Sequence, residues 1–355
     1  MKSHPLAVST WGEEEKQALL EVIESGRYTM GDKVSQFEAE YAGWVNTKHA
    51  VMVNSGSSAN LLMVAAYTLR NGPGTVIVPA VSWSTSYSPF QQYGWKLKFV
   101  DIDKDTLNYD IEALRQAYTG TELILAVNLL GNPNQFTEFP SMNILEDNCE
   151  SMGAVFAGMR TGNFGIMASH STFFSHHMQT MEGGIITTDD EYYYQMLLCL
   201  RSHGWTRHLP KDNVFAVKPS AYDFLFPGYN VRPIEMMGAV GLKQLEKLDG
   251  FIESRRENAE RWKSVCERRG WWIQKEVQYA KSSWFAFAIV DDNIEDIKKE
   301  LEENGIEYRP LVAGNFVKSP SIKYYQYEAG PLPNADRVHE KGIYIGNFHE
   351  KIDIL

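Results

Sequence analysis

The sequence predicts an α/β fold, with a mostly parallel central sheet, helices on both faces and a small C-terminal α+β domain. Three observations carry that prediction. Short apolar runs alternate with helical stretches from residue 48 onward, most of the runs end in small or polar residues, and the pattern changes near residue 250. With 355 residues, 44% hydrophobic and 12% aromatic, the chain can bury a large core and a smaller companion, which excludes a disordered or fibrous protein.

The apolar runs fall at 50–53, 76–78, 97–100, 123–127, 143–145 and 184–187. They close on Asn54-Ser55-Gly56, Pro79-Ala80, Asp101, Asn128 and Glu146-Asp147, and in open α/β sheets ligands collect in the loops beyond the strands' carboxyl ends. Only residues 128–142, rich in Asn, Pro and Phe, separate the fourth and fifth runs. A parallel crossover usually holds a helix, so a helix-free or minimal crossover is expected there. A helix is expected over 233–248, with Pro233 in its first turn and Ile234, Met237, Gly241, Leu245 and Leu248 along one stripe. It closes a large domain of residues 1–249. In the small domain, residues 250–355, strands are expected at 283–290 and 306–311, with a charged helix at 294–303 ended by Asn304-Gly305. The chain stops at Ile352-Asp353-Ile354-Leu355 with no long closing helix expected.

Lys plus Arg number 34 against 45 Asp plus Glu, a net charge of -11, which argues against a nucleic-acid or anionic-membrane surface. Any anionic ligand must be held locally. Cys149, Cys199 and Cys266 are odd in number, scattered and without a Cys-x-x-Cys pair, fitting a reduced cytoplasm rather than a disulfide framework, a structural zinc or an iron–sulfur cluster. No run approaches the roughly 20 apolar residues of a membrane helix, and residues 1–5 are not followed by the apolar core of a signal peptide. A soluble cytoplasmic protein is expected.

Three segments carry chemistry. Residues 54–60, Asn-Ser-Gly-Ser-Ser-Ala-Asn, join a strand to a helix, where free backbone N–H groups and hydroxyls suit a phosphate; a Ser N-cap alone would also explain them. Leu145-Glu146-Asp147-Asn148-Cys149-Glu150 runs a buried strand into acids. These suit a metal, a general base or the partner of a pyridinium nitrogen, and equally a helix N-cap, and no His or carboxylate spacing nearby favours a metal. The third runs from Ser169 to Gly184 and contains His176-His177. Read as a strand, it puts the two rings on opposite faces, so they make a poor metal pair and at most one faces a given pocket.

In order and spacing these segments resemble the pyridoxal-phosphate sugar aminotransferases of the DegT/DnrJ/EryC1/StrS family, which have the aspartate aminotransferase fold. The resemblance covers nearly the whole chain and continues through residues 78–85, Gly228-Tyr229-Asn230-Val231-Arg232-Pro233 and residues 241–248. Five residues on from Ser171, where that family carries the lysine that holds its cofactor as a Schiff base, this chain has His176. That departure, with Phe173-Phe174-Ser175-His176-His177 and Met181-Glu182-Gly183-Gly184, is similar to a small branch of the family that dehydrates rather than aminates. The branch implies pyridoxamine 5'-phosphate, alternating with pyridoxal 5'-phosphate, as cofactor. It also implies GDP-4-keto-6-deoxymannose as the sugar losing its C3 hydroxyl, and glutamate as the amine donor.

The resemblance further implies His176 as the catalytic base and acid, since histidine cannot form the Schiff base that lysine would. Asp147 is implied to pair with the pyridinium nitrogen, Gly56, Ser57 and Ser171 to hold the phosphate, Trp83 to stack on the ring, and Glu150 to lie near the ring oxygen. Asn230 is implied to reach the phosphate of a neighbouring subunit, hence a homodimer with shared active sites. His203, Arg207 and Arg309 are candidates for the nucleotide-sugar diphosphate, with surface salt bridges as the alternative. His177, Met178 and Met181 read as packing. Two other readings stand beside the dehydratase: an aminotransferase whose lysine has been replaced, and a catalytically inactive relative that binds or regulates.

Overall fold

The computed structural model describes residues 4–220 and 222–352. Its first part comprises helices α1 (Glu13–Ser25), α2 (Asp32–Val45), α3 (Gly56–Asn71), α4 (Ser84–Gln92), α5 (Ile111–Ala117) and α6 (Glu191–Arg201). The expected runs form strands β1 (His49–Val53), β2 (Thr75–Pro79), β3 (Lys96–Val100), β4 (Leu123–Val127) and β5 (Ile144–Asp147). Two short strands, β6 (Val155–Phe156) and β7 (Met159–Arg160), precede β8 (Met167–Ser171) and β9 (Gly184–Thr188). In the C-terminal part come α7 (Glu235–Arg269), β10 (Ala280–Lys281), β11 (Ala286–Val290), α8 (Ile294–Glu303), β12 (Tyr308–Pro310), β13 (Tyr327–Ala329), α9 (Pro333–Lys341) and β14 (Gly342–Gly346). Among the described residues no helix is long and apolar enough to cross a membrane.

Eight strands form the central sheet in the order β1-β9-β8-β5-β4-β2-β3-β13, parallel except where β9 runs against β1 and β8. Alternation along β1 shows why helices cover both faces. Val51 and Val53 pack with α3 and α6, while Ala50 and Met52 pack with α2 and α7. Strands buried on both sides read in sequence as unbroken apolar runs, so most of this sheet was visible there.

The crossover between β4 and β5 holds no α-helix, only single 3₁₀ turns at Leu129–Gly131 and Phe136–Glu138. Phe136 stacks on Phe164 at 4.2 Å between ring centres, tying the crossover into a core cluster with Phe156 and Ile144. Buried asparagines satisfy the turn: the Asn134 side chain donates to Val127 O at 2.7 Å, and Asn128 Oδ1 accepts from Asn134 N at 2.8 Å.

Three expectations need correction. The helix expected to end at Leu248 continues through Gly250 to Arg269, because Ile252, Ala259, Trp262 and Val265 extend its buried face and outweigh the glycine's poor helix propensity. The strand expected from Ser283 begins only at Ala286, since Ser283 N and Phe285 N donate instead to Gly131 O and Leu130 O in the crossover turn. That expected at 306–311 shortens to β12, paired with β14. Helix α8 falls where expected, with Asn304 as its C-cap. A second core cluster, with Trp262, Phe287, Leu301 and Ile345, lies behind the β11-β14-β12 sheet. Residues 1–3 and the last three residues, on which the readings of both termini partly rest, lie outside the described residues.

Candidate active site

A cavity of about 620 Å³ lies at the carboxyl ends of β4, β5 and β8, closed on its other side by β11, β12 and β14. Gly56, Ser57, Trp83, Asp147, Glu150, Ser171, His176 and Arg309 all line it, whereas Asn230, His203 and Arg207 do not. This is where an open α/β sheet leaves its crevice.

Asp147 ends β5 and is 5% exposed. One carboxylate oxygen accepts from the Asn60 amide at 2.8 Å and Ser86 Oγ at 2.7 Å; the other accepts from Cys149 N at 3.1 Å. No cation among the described residues pairs with it, so a buried negative charge faces the cavity in want of a positive partner. Neither Asn60 nor Ser86 is singled out by the sequence reading, although Asn60 closes the first chemical segment.

Helix α3 begins beside it. Ser55 is its N-cap, its hydroxyl accepting from Ser58 N, and the first helical bond runs from Ala59 N to Ser55 O, which leaves the Gly56 and Ser57 N–H groups without intrahelical acceptors. Thus one feature is both a Ser N-cap and a helix start with free N–H groups. A Cβ built at Gly56 would lie 2.7 Å from Ser171 Cβ and 2.9 Å from Cys149 Sγ, so only glycine lets the helix start sit this close to β8. Ser57 Oγ is 2.9 Å from Thr85 Oγ1, and Trp83, 58% exposed, presents its indole at the start of α4.

His176 lies in a turn rather than a strand: β8 ends at Ser171, and Thr172 N and Phe174 N donate back to Gly183 O and Met181 O. The divergence of the two histidines therefore comes from the turn. The half-buried His176 ring lines the cavity 5.0 Å from the Phe285 ring, while His177 is fully buried, its Nε2 3.0 Å from Ser283 O. Burial, helped by the Arg255 charge, pushes His176 down to about 3, leaving it neutral near neutral pH. Burial pushes Glu150 the other way, to about 7, with Asp147 nearby adding to the effect and a 2.9 Å bond from Leu130 N opposing it.

A helix start that can hold a phosphate, an unpaired buried carboxylate behind it and an exposed indole beside it define the class as a pyridoxal-phosphate enzyme of the aminotransferase fold. The chain belongs to the DegT/DnrJ/EryC1/StrS aminotransferase family, whose pattern matches residues 9–351. It is 47% identical over 372 residues to the GDP-4-keto-6-deoxy-D-mannose 3-dehydratase of Yersinia pseudotuberculosis, covering 98% of this chain and 94% of that protein. It is also 48% identical over 384 residues to the enzyme of that name from Escherichia coli O55:H7, covering 100% of this chain and 99% of the other. A crystal structure of GDP-4-keto-6-deoxymannose-3-dehydratase with a trapped PLP-glutamate geminal diamine superposes with a TM-score of 0.93 at 45% identity, covering 98% of this chain and 97% of that one.

Proposed function

We propose that this protein is a pyridoxamine-phosphate-dependent 3-dehydratase of a nucleotide sugar. It removes the C3 hydroxyl of GDP-4-keto-6-deoxymannose to give the 4-keto-3,6-dideoxy sugar, and glutamate regenerates the cofactor. The observation that carries this reading is a histidine, His176, on a cavity wall where no described lysine stands. Both relatives named above act on that sugar by their names, and the trapped adduct in the solved relative contains glutamate.

Bound in this cavity, pyridoxamine phosphate supplies an amine for the C4 ketone and a ring that draws electrons. Asp147 gives a pyridinium nitrogen its counter-charge, and its hydrogen bonds from Asn60, Ser86 and Cys149 N fix its direction. Gly56 and Ser57 offer N–H groups to the phosphate, Ser171 its hydroxyl, and Trp83 its indole to the ring. His176, kept neutral by burial, takes up a proton on a ring nitrogen and returns it to the C3 hydroxyl as water departs. Glu150, which holds its proton to about pH 7, donates toward the ring oxygen.

Asn230, His203 and Arg207 lie away from the cavity of their own chain, which suits a homodimer in which they complete the partner's site, with Arg207 and Arg309 receiving the diphosphate. The substrate chemistry and acidic charge suit the cytoplasm. We also infer that the small domain starts near residue 250, supported by the separate core behind β11 and β14, with α7 shared between the two units.

The test is mass spectrometry of the sugar after incubation with pyridoxal phosphate, glutamate and GDP-4-keto-6-deoxymannose, alongside His176→Lys and Asp147→Ala. A product lighter by one oxygen with ammonia released, lost in His176→Lys, supports the reading; Asp147→Ala is expected to lose the cofactor. An amino sugar from the native protein overturns the reading in favour of transamination, and unchanged sugar with no retained cofactor favours a binding protein.

A further inference from the structure

Arg255 on α7 is 2% exposed, and no carboxylate among the described residues pairs with it. Burial without a counter-ion pushes its guanidinium down to about 9. Its donors go instead to main-chain carbonyls of three separate segments: Phe285 O at 2.9 Å, Asn347 O, and His176 O at 3.4 Å. The clamp is itself braced. The Asn347 side chain donates to Arg255 O at 3.1 Å and Trp284 O at 2.7 Å. One residue earlier in the same segment, His177 Nε2 donates to Ser283 O at 3.0 Å. Phe285, whose carbonyl Arg255 grips, packs its ring against the His176 imidazole. The positive charge, the gripped carbonyl and the packed ring therefore meet at one side chain.

We propose that Arg255 is a positioning residue for His176: it ties the 176–177 turn to the residue before β11 and the residue after β14, and sets an uncompensated positive charge against the imidazole. The fork geometry of a guanidinium fits this task, because a lysine ammonium can carry the charge but not span three carbonyls. Neutral imidazole is the form that can take up a proton, so the clamp holds a proton acceptor in place while its charge lowers that acceptor's basicity.

Other titratable groups also face this neighbourhood. Behind the turn are His177, Arg256 and His349; across the cavity are Glu150, Glu182, Arg309 and Tyr344. The Arg255 guanidinium acts on both His176 and His177, whereas Arg256 acts on His177.

The proposal rests on the catalytic reading of His176 only in its activity arm, so the first test is independent of it. Histidine ring NMR on cofactor-free protein, with His176→Asn to assign the signal, follows the titration of His176 in the native protein, Arg255→Lys and Arg255→Gln. In the native protein the signal is expected to stay neutral through the acidic range where an ordinary histidine titrates. Arg255→Lys is expected to keep it neutral and Arg255→Gln to raise its midpoint by at least one pH unit. In the dehydration assay, Arg255→Lys is expected to lower kcat tenfold or more with KM for the nucleotide sugar unchanged, because charge remains and position is lost. Equal midpoints in all three proteins, or a loss of turnover that only follows the folded fraction, would overturn the proposal. Should Arg255→Gln not fold, Arg255→Lys decides alone, since native kcat in that variant removes the clamp from the reaction. Native protein inactive on the sugar would instead count against the dehydratase reading, leaving the titrations to judge the clamp.

Discussion

Replacing Gly56 by alanine tests the packing of the helix start on β8. The added methyl would meet Ser171 Cβ at 2.7 Å and Cys149 Sγ at 2.9 Å, both closer than carbon and sulfur tolerate. Overpacking of this kind costs about 1–3 kcal/mol, while alanine's better helix propensity returns at most about 1 kcal/mol and less in a first turn. The clash wins, and a net loss of about 1–2 kcal/mol is expected, read as a fall of a few degrees in the Tm of cofactor-free protein. Cofactor binding should suffer more than folding. Relieving the clash moves the Ser171 hydroxyl, and a hydrogen bond to a charged group is worth about 1.5–3 kcal/mol, roughly a 10- to 100-fold weaker Kd in a spectroscopic titration with pyridoxal phosphate. Adding Cys149→Ala removes one of the two contacts and should recover part of the Tm without restoring affinity. A Gly56→Ala protein that melts and binds like the native one would refute both the packing argument and the placement of the phosphate.

Two further perturbations follow from the same geometry. Glu150 keeps its proton to about pH 7 when folded, against roughly 4.3 when unfolded, so the folded state binds the extra proton between those values. Stability should therefore fall as pH rises through that window, by at most about 1.4 kcal/mol per pH unit, and Glu150→Gln should flatten the slope in denaturant titrations across it. Asn134→Ala removes the side-chain donor from Val127 O and leaves Asn128 Oδ1 with the Asn134 N–H, and should cost about 1–3 kcal/mol, seen as a lower denaturation midpoint with the cofactor site otherwise intact.

The parts of this molecule legible in sequence are those where burial is symmetric or a turn is chemically marked. Strand β4 is buried at every position and reads as Leu-Ile-Leu-Ala-Val; α8 announces its end with Asn304-Gly305. Strand β13 is exposed at all three positions, so Tyr-Glu-Ala carries no hydrophobic signature and went unseen. The second half of α7 was missed because its buried residues are spaced among charges and follow a glycine. Within the cavity, Gly56, Asp147 and His176 stand at a helix start, a strand end and a turn, where residue type matters. Arg255 sits in Glu-Ser-Arg-Arg-Glu, a string that reads as a solvated helix face, and its burial arises only when β11 and the segment after β14 fold over it. Asn60 and Ser86 were invisible for a related reason: each acts on Asp147 from another element.

Strand β13 has a bearing on how the protein is made. Its backbone pairs in parallel with Leu97, Lys98 and Phe99 of β3, and Glu328 forms ion pairs with Lys96 at 2.5 Å and Lys98 at 3.6 Å. On the ribosome, β3 emerges more than two hundred residues before the strand that covers it. Throughout that interval its outer edge is an open template for the strands of neighbouring nascent chains. The two lysines that later grip Glu328 are the residue type that discourages such pairing, so one pair of side chains guards the edge during synthesis and then fastens its cover.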